Sequence, residues 1–339
     1  MRINKLYILI FAFLVMIFAT GCNSGKKAAG KISEDTSDPV DIEADDQKTA
    51  SITVDTSLLE NDDDHSSDDD AKEQESSDDH AAGSGEKEIL HFVDVFQQEY
   101  EVEIDPDIPK HPYDLSAFSR DGQMLKYEDN VYTSRLGIDV SHHQGSIDWK
   151  KVANQGFEFA ILRIGYRGYG KEGLVNPDKK FAEYIRGAKE AGLDVGVYFF
   201  AQAINEEEAQ EEAEFVINLL DGEKLDLPVV YDPESILDDE ARTDDVSGEQ
   251  FTKNTVAFTK AIKDAGYEPM VYSNMLWEAF ELDLKELPDI PVWYADYEPL
   301  PQTPYRFTMW QYSNEGNVSG ILGDVDLDIQ LFAKDNFNE

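Results

Sequence analysis

Cysteine is nearly absent from this chain: Cys22 is the only one in 339 residues, so no intramolecular disulfide can form. Basic side chains are also scarce, 29 against 71 acidic ones, and the formal net charge is −42. That balance excludes binding to nucleic acid by phosphate neutralisation and makes an anionic lipid surface a poor electrostatic partner. Histidine is sparse too. His142-His143 has no second His or Cys cluster in the folded part to complete a coordination shell, so no metal is expected. Long apolar runs are missing: the longest, Leu6 to Ala19, has 14 residues, short of the ~20 that span a bilayer.

The charge is unevenly spread. Residues 1–30 carry +4, residues 31–88 carry −17 and residues 89–339 carry −29. Arg2 and Lys5 ahead of the apolar run read as an export signal. The run ends in Ala19-Thr20-Gly21-Cys22, which resembles the lipobox of bacterial lipoproteins, although Ala19 stands where leucine is usual. That resemblance implies a signal peptide over 1–21, lipid modification of Cys22 and an extracytoplasmic protein anchored to the bacterial membrane. Residues 22–87 read as a disordered acidic tether: the tract from 31 has no aromatic residue and cannot bury enough apolar surface to offset chain entropy. As a flexible chain, about 60 residues reach roughly 45 Å, and self-repulsion extends this. Its Asp runs lack the residue order of an EF-hand loop, which argues against calcium.

Residues 88–134 have mixed composition and are too few for a core of their own, so they are expected to form a short stalk or an extension leaning on the domain C-terminal to them. From 135 to 333 apolar runs alternate with amphipathic ones. Strands are expected at Leu136–Val140, Phe157–Ile164, Asp194–Phe200, Leu227–Tyr231, Pro269–Tyr272, Val292–Ala295 and Phe307–Gln311. Helices are expected at Trp149–Asn154, Asp178–Ala191, Glu206–Leu220, Gly248–Ala265 and Met275–Glu281. About 200 residues of this pattern point to the α/β class and a modified, TIM-barrel-like (β/α) barrel, with chemistry at the carboxyl ends of the strands.

Several acids fall at those ends: Asp139 after the first strand, Asp232 and Glu234 after the fourth, and Asp296 after Trp293-Tyr294-Ala295. If extended geometry persists through Pro233, Asp232 and Glu234 project to one face. Carboxyls held together force one pKa up, so that one can donate a proton while the other stays anionic. The competing reading is that such acids are solvated loop residues or helix caps. Aromatic rings crowd the same ends: Tyr166, Tyr198, Phe200, Tyr231, Tyr272, Trp293, Tyr294 and Trp310. Rings that stack on flat sugar faces, beside acids that bind hydroxyls, suggest a carbohydrate, although alternate strand residues must instead serve the core. Gly168-Tyr169-Gly170-Lys171-Glu172-Gly173 fits the dinucleotide-binding spacing formally, but Asn176-Pro177 comes next instead of a helix start, so the glycines read as a mobile loop.

A set of short stretches runs in order along the domain: Gly137-Ile138-Asp139-Val140-Ser141 with Gln144-Gly145 and Ile147-Asp148-Trp149; Ile161-Leu162-Arg163; and Ala191 through Phe200. It continues through Asp232-x-Glu234, Trp310-Gln311-Tyr312 and Val325-Asp326-Leu327-Asp328. On these stretches the domain resembles family 25 of the glycoside hydrolases, the N-acetylmuramidase type of lysozyme. Pro233 replaces a commoner branched residue, and Asp328 replaces asparagine. The resemblance implies a flattened barrel that cleaves the β-1,4 bond from N-acetylmuramic acid to N-acetylglucosamine in peptidoglycan, with retention. It implies Glu234 as general acid, Asp232 as nucleophile or stabiliser of an oxazolinium, and Asp139 and Asp326 as further catalytic acids on the cleft floor. The aromatic residues named above and Asp296 would bind substrate. No cofactor is called for, and the protein is expected to act as a monomer on peptidoglycan. The alternatives are a wall-binding lipoprotein on the same barrel that has lost turnover, and a scaffold whose acidic tract recruits a partner.

Overall fold

A computed structural model describes residues 87–236 and 239–334. The signal segment, Cys22 and almost all of the acidic tether lie outside the described residues.

Two hairpins come first: β1 (Ile89–Val93) with β2 (Glu99–Glu103), and β3 (Phe118–Asp121) with β4 (Met124–Tyr127). Next come β5 (Tyr132–Val140), α1 (Trp149–Ala153), β6 (Phe157–Arg167), β7 (Val175–Pro177), α2 (Phe181–Glu190), β8 (Asp194–Ala201) and α3 (Glu206–Leu220). The chain continues through β9 (Val229–Pro233), α4 (Gly248–Asp264), β10 (Pro269–Asn274), α5 (Met275–Phe280), β11 (Val292–Ala295), β12 (Met309–Gly316) and β13 (Val325–Ala333).

Strands β5, β6, β8, β9, β10, β11 and β12 run parallel in sequence order, and β13 closes the ring by pairing antiparallel with both β12 and β5. The expected modified barrel is therefore a closed sheet flanked by helices. It departs from regular β/α repetition after β11, where the connections to β12 and β13 hold no α-helix. The strand formed by Val325–Ala333 is absent from the expected set. Its outward positions bury Val325, Leu327 and Ile329, while Asp326 and Asp328 interrupt the apolar run that marks a buried strand.

The glycine run lies between two paired strands. Gly168–Gly173 is the turn of a hairpin in which β7 pairs antiparallel with the end of β6, tied by Gly168 N–H to the Leu174 carbonyl at 2.9 Å. Arg167 donates to the Gly173 carbonyl at 2.8 Å, so the turn is held at its base.

Sheet alternation creates two cores. Inside the barrel lie Phe159, Ile161, Val230, Met270, Trp293 and Met309; between sheet and helices lie Leu162, Val197, Tyr231, Phe258, Tyr294 and Trp310. Gly137 is required by this packing, because a Cβ there would sit 2.1 Å from the Phe159 ring. Residues 89–127 add Phe92, Ile104, Tyr113, Leu125 and Tyr127 to the outer core. Tyr113 donates to the Phe307 carbonyl at 2.8 Å, and the Tyr312 hydroxyl accepts from Leu125 N–H at 3.4 Å.

Candidate active site

The carboxyl ends of the parallel strands open onto a cavity of ≈ 190 Å³ lined by Asp139, Asp232, Glu234 and Asp326, with Tyr198, Phe200, Tyr272 and Trp293 around them. Strand register explains the convergence. Asp139 on β5 lies directly opposite Asp326 on β13, and Gly137 opposite Asp328, so three acids face inward on two adjacent strands. Asp232 is the fourth residue of β9, and Glu234 follows the strand's last residue, Pro233, which still pairs with Ala201. Two carboxylates directly opposite in a ladder repel, so this arrangement favours the protonated form of one or both acids.

Few compensating charges are present. Burial, reinforced by repulsion from Glu234 and Asp139, pushes Asp232 well above the usual carboxylate range, and Arg163 pulls it back. Burial also raises Glu234 to about 7, opposed by the Tyr272 hydroxyl. Asp139, Asp326 and Asp328 are likewise pushed up, by burial first and by one another second. Asp232 Oδ1 is buried and has no hydrogen-bond partner among the described residues. Such a cluster holds protons near neutral pH and retains groups able to accept or release one.

A polar relay fixes the floor. Gln311 Nε2 donates to Asp139 Oδ2 at 2.7 Å, and its Oε1 accepts from the Tyr272 and Tyr297 hydroxyls at 3.0 and 2.8 Å. Trp293 Nε1 donates to Asp328 Oδ1 at 2.8 Å. The loop carrying Glu234 is clipped by Gln202, whose Nε2 donates to the Glu234 carbonyl at 2.6 Å and whose Oε1 accepts from Thr243 Oγ1 at 2.9 Å.

Five expected binding residues fall outside this cavity. Tyr231 points to the helix layer against Phe258, with ring centroids 4.6 Å apart. Tyr294 and Trp310 are fully buried in the outer core, Trp310 Nε1 donating to the Asp296 carbonyl at 2.7 Å. Tyr166 is buried beside the Arg163 guanidinium. Asp296 is an internal brace: it accepts from the Tyr294 hydroxyl, Glu298 N–H and Gln302 N–H at 2.9–3.0 Å. Strands buried on both faces carry no spacing signal for which ring faces inward. Conversely, Ser141, Gln144, Tyr297, Asn314, Glu315 and Asp324 line the cavity although the sequence does not mark them as binding residues, and His143 lines it too. Gln311 does as well, and its alternation with Trp310, which faces outward, is the signal that could have found it. His142, the neighbour of His143, turns instead to Asp178 at 3.0 Å. Among the described residues no group of three or more His, Cys, Asp or Glu is placed to hold a metal ion.

Residues 138–321 match the glycosyl hydrolases family 25. The chain is 30% identical over 193 residues to the autolytic lysozyme of Clostridium acetobutylicum, covering 57% of this chain and 54% of that protein. It is 28% identical over 211 residues to lysozyme M1 of Streptomyces globisporus, covering 56% and 65%. It thus spans about half the length of the first of these relatives. Among solved structures it is similar to the spore cortex lytic enzyme SleM of Clostridium perfringens, at 25% identity and a TM-score of 0.51, covering 58% of this chain and 67% of that one. The modular autolysin LytC of Streptococcus pneumoniae shares the fold, with a TM-score of 0.52 at 23% identity over 71% of this chain and 56% of that one.

Proposed function

The chain belongs to glycosyl hydrolases family 25, and from that membership and the geometry of its cavity we propose that it is a peptidoglycan hydrolase cleaving the β-1,4 bond between N-acetylmuramic acid and N-acetylglucosamine. The observation that carries the reading is the meeting of Asp139, Asp232, Glu234 and Asp326 in one aromatic-walled cavity, with Glu234 raised to about 7. A carboxyl at that value is half protonated near neutral pH and is matched to proton donation. Glu234 gives its proton to the departing glycosidic oxygen as the C–O bond breaks. Asp232, whose ionised form Arg163 favours against the burial that raises its pKa, meets the positive charge that develops on the sugar, either by bonding to the anomeric carbon or by stabilising an oxazolinium formed by the substrate's acetamide. Water then attacks the same face, with Glu234 carboxylate taking its proton, so configuration is retained. Asp139, held by Gln311, and Asp326 opposite it orient and tune the pair.

The enzyme is proposed to work as a monomer outside the cytoplasm, tethered through lipidated Cys22 and the acidic tract. The test is release of reducing ends from purified walls: Glu234→Gln should be slower by about 10²–10⁴-fold, the usual worth of a positioned general acid. Equal activity of that variant and wild type would sink the assignment.

A further inference from the structure

A second cavity of ≈ 160 Å³ lies on the far side of Tyr272 and Tyr297, which line both spaces. Its other wall is the β1–β2 hairpin, contributed by Phe92, Val93, Asp94, Val95 and Gln97. These residues lie outside the stretch matched to the family, 138–321.

The hairpin is firmly seated. Gln302 grips Val93 twice, accepting from its N–H at 2.8 Å and donating to its carbonyl at 2.9 Å, and Asp296 in turn holds Gln302. Gln97 Nε2 donates to Glu298 Oε1 at 2.9 Å across the rim, and the Phe92 and Tyr100 rings stack at 5.1 Å beneath. A cavity braced in this way exists before any ligand arrives, which lowers the cost of binding.

Its lining is more apolar than that of the first cavity. Aliphatic and aromatic surfaces from Val95, Met275 and Tyr297 face carboxyl and amide groups from Asp94, Asn274 and Glu298, and no Lys or Arg lines it. Apolar walls with hydrogen-bonding groups fit the alternating faces of a pyranose ring, while the lack of any cation disfavours an anionic ligand. Tyr272 and Tyr297 border both spaces, so a glycan seated in the first cavity has the second beside it, and that adjacency supplies the occupant. We propose that the β1–β2 hairpin extends the catalytic groove by a further saccharide subsite, which holds a distal, uncharged N-acetylglucosamine ring of the same glycan strand. This rests on the muramidase reading and adds a chain-length preference to it.

The test uses the full chain and peptide-free glycan strands of alternating N-acetylglucosamine and N-acetylmuramic acid, four and eight sugars long. Wild type should show a kcat/KM about tenfold higher on the octasaccharide, corresponding to about 1.4 kcal/mol of remote binding used in the transition state. Val95→Trp, at a position 41% exposed, should fill the cavity without disturbing the core and bring the octasaccharide-to-tetrasaccharide ratio close to one. Glu298→Ala should lower the ratio in part. A wild-type ratio of one, a ratio that survives Val95→Trp, or a preference that appears only on strands carrying peptide stems would overturn the subsite. Cleavage of neither length would instead overturn the muramidase reading, and the subsite with it.

Discussion

Tyr272 shows how one hydroxyl tempers the acid's pKa at the residue scale. Its hydroxyl opposes the effect of burial on Glu234, so Tyr272→Phe should raise the Glu234 pKa above about 7 and move the basic limb of the kcat/KM–pH profile upward. An unmoved limb, with the ring retained, would remove Tyr272 from the electrostatics of the acid. Gly137 carries a steric prediction of similar resolution. With the Phe159 ring only 2.1 Å from where a Cβ would sit, Gly137→Ala should destabilise by about 1–3 kcal/mol through overpacking, read as a lowered denaturation midpoint. The sequence revealed that Asp139, Asp232 and Glu234 stand at strand ends, because an acid terminating an apolar run is conspicuous. It did not reveal that Tyr231, Tyr294 and Trp310 face away from the cavity. On a strand buried on both faces, inward and outward rings are equally apolar, and only pairing register separates them.

Among the elements, the β9-to-α4 connection depends on Gln202 at the end of β8. Gln202 is almost fully buried and joins the Glu234 carbonyl to Thr243, while its own N–H bonds Glu212 Oε1 at 3.2 Å. Gln202→Leu leaves both partners unsatisfied, which costs about 1–3 kcal/mol per buried group. The expected outcome is a lowered kcat beyond what the fall in Tm accounts for, together with a shifted acid–base profile, because Glu234 loses its backbone anchor. A drop in Tm with unchanged kcat and pH profile would make Gln202 purely structural. The helices were legible by their amphipathic period and the parallel strands as short continuous apolar runs; α3, for instance, begins after the Asn205 cap with three glutamates where the helix dipole favours them. Strand β13 was not, since its inward-facing Asp326 and Asp328 are the residues that serve the cavity and so break the apolar pattern of a core strand. The early hairpins were hidden for another reason. They have little core of their own and gain burial against later elements, Tyr100 against Phe280 and Phe118 and Leu125 against Trp310 and Tyr312.

For the whole molecule, acidity acts on stability and on approach to substrate. Three carboxyls from separate places are raised by burial: Glu212 and Glu234 to about 7 and Glu278 to about 8. Each holds its proton more tightly folded than unfolded, so the folded state binds more protons between about pH 4.5 and 8. Stability must therefore fall as pH rises through that window. Calorimetry should find Tm higher at about pH 5 than at about pH 8; the opposite slope would contradict the burial of these groups. The net charge of −29 over residues 89–339 also repels an anionic wall at long range. A form lacking the tether should act slowly on intact cells at low ionic strength and faster as salt screens the repulsion, and a salt-independent rate would count against this electrostatic account. The central claim, however, concerns which bond breaks. Purified peptidoglycan digested by the enzyme, reduced with borohydride and resolved by mass spectrometry, should yield fragments ending in reduced N-acetylmuramic acid. Fragments ending in reduced N-acetylglucosamine, or no soluble fragments at all, would contradict it.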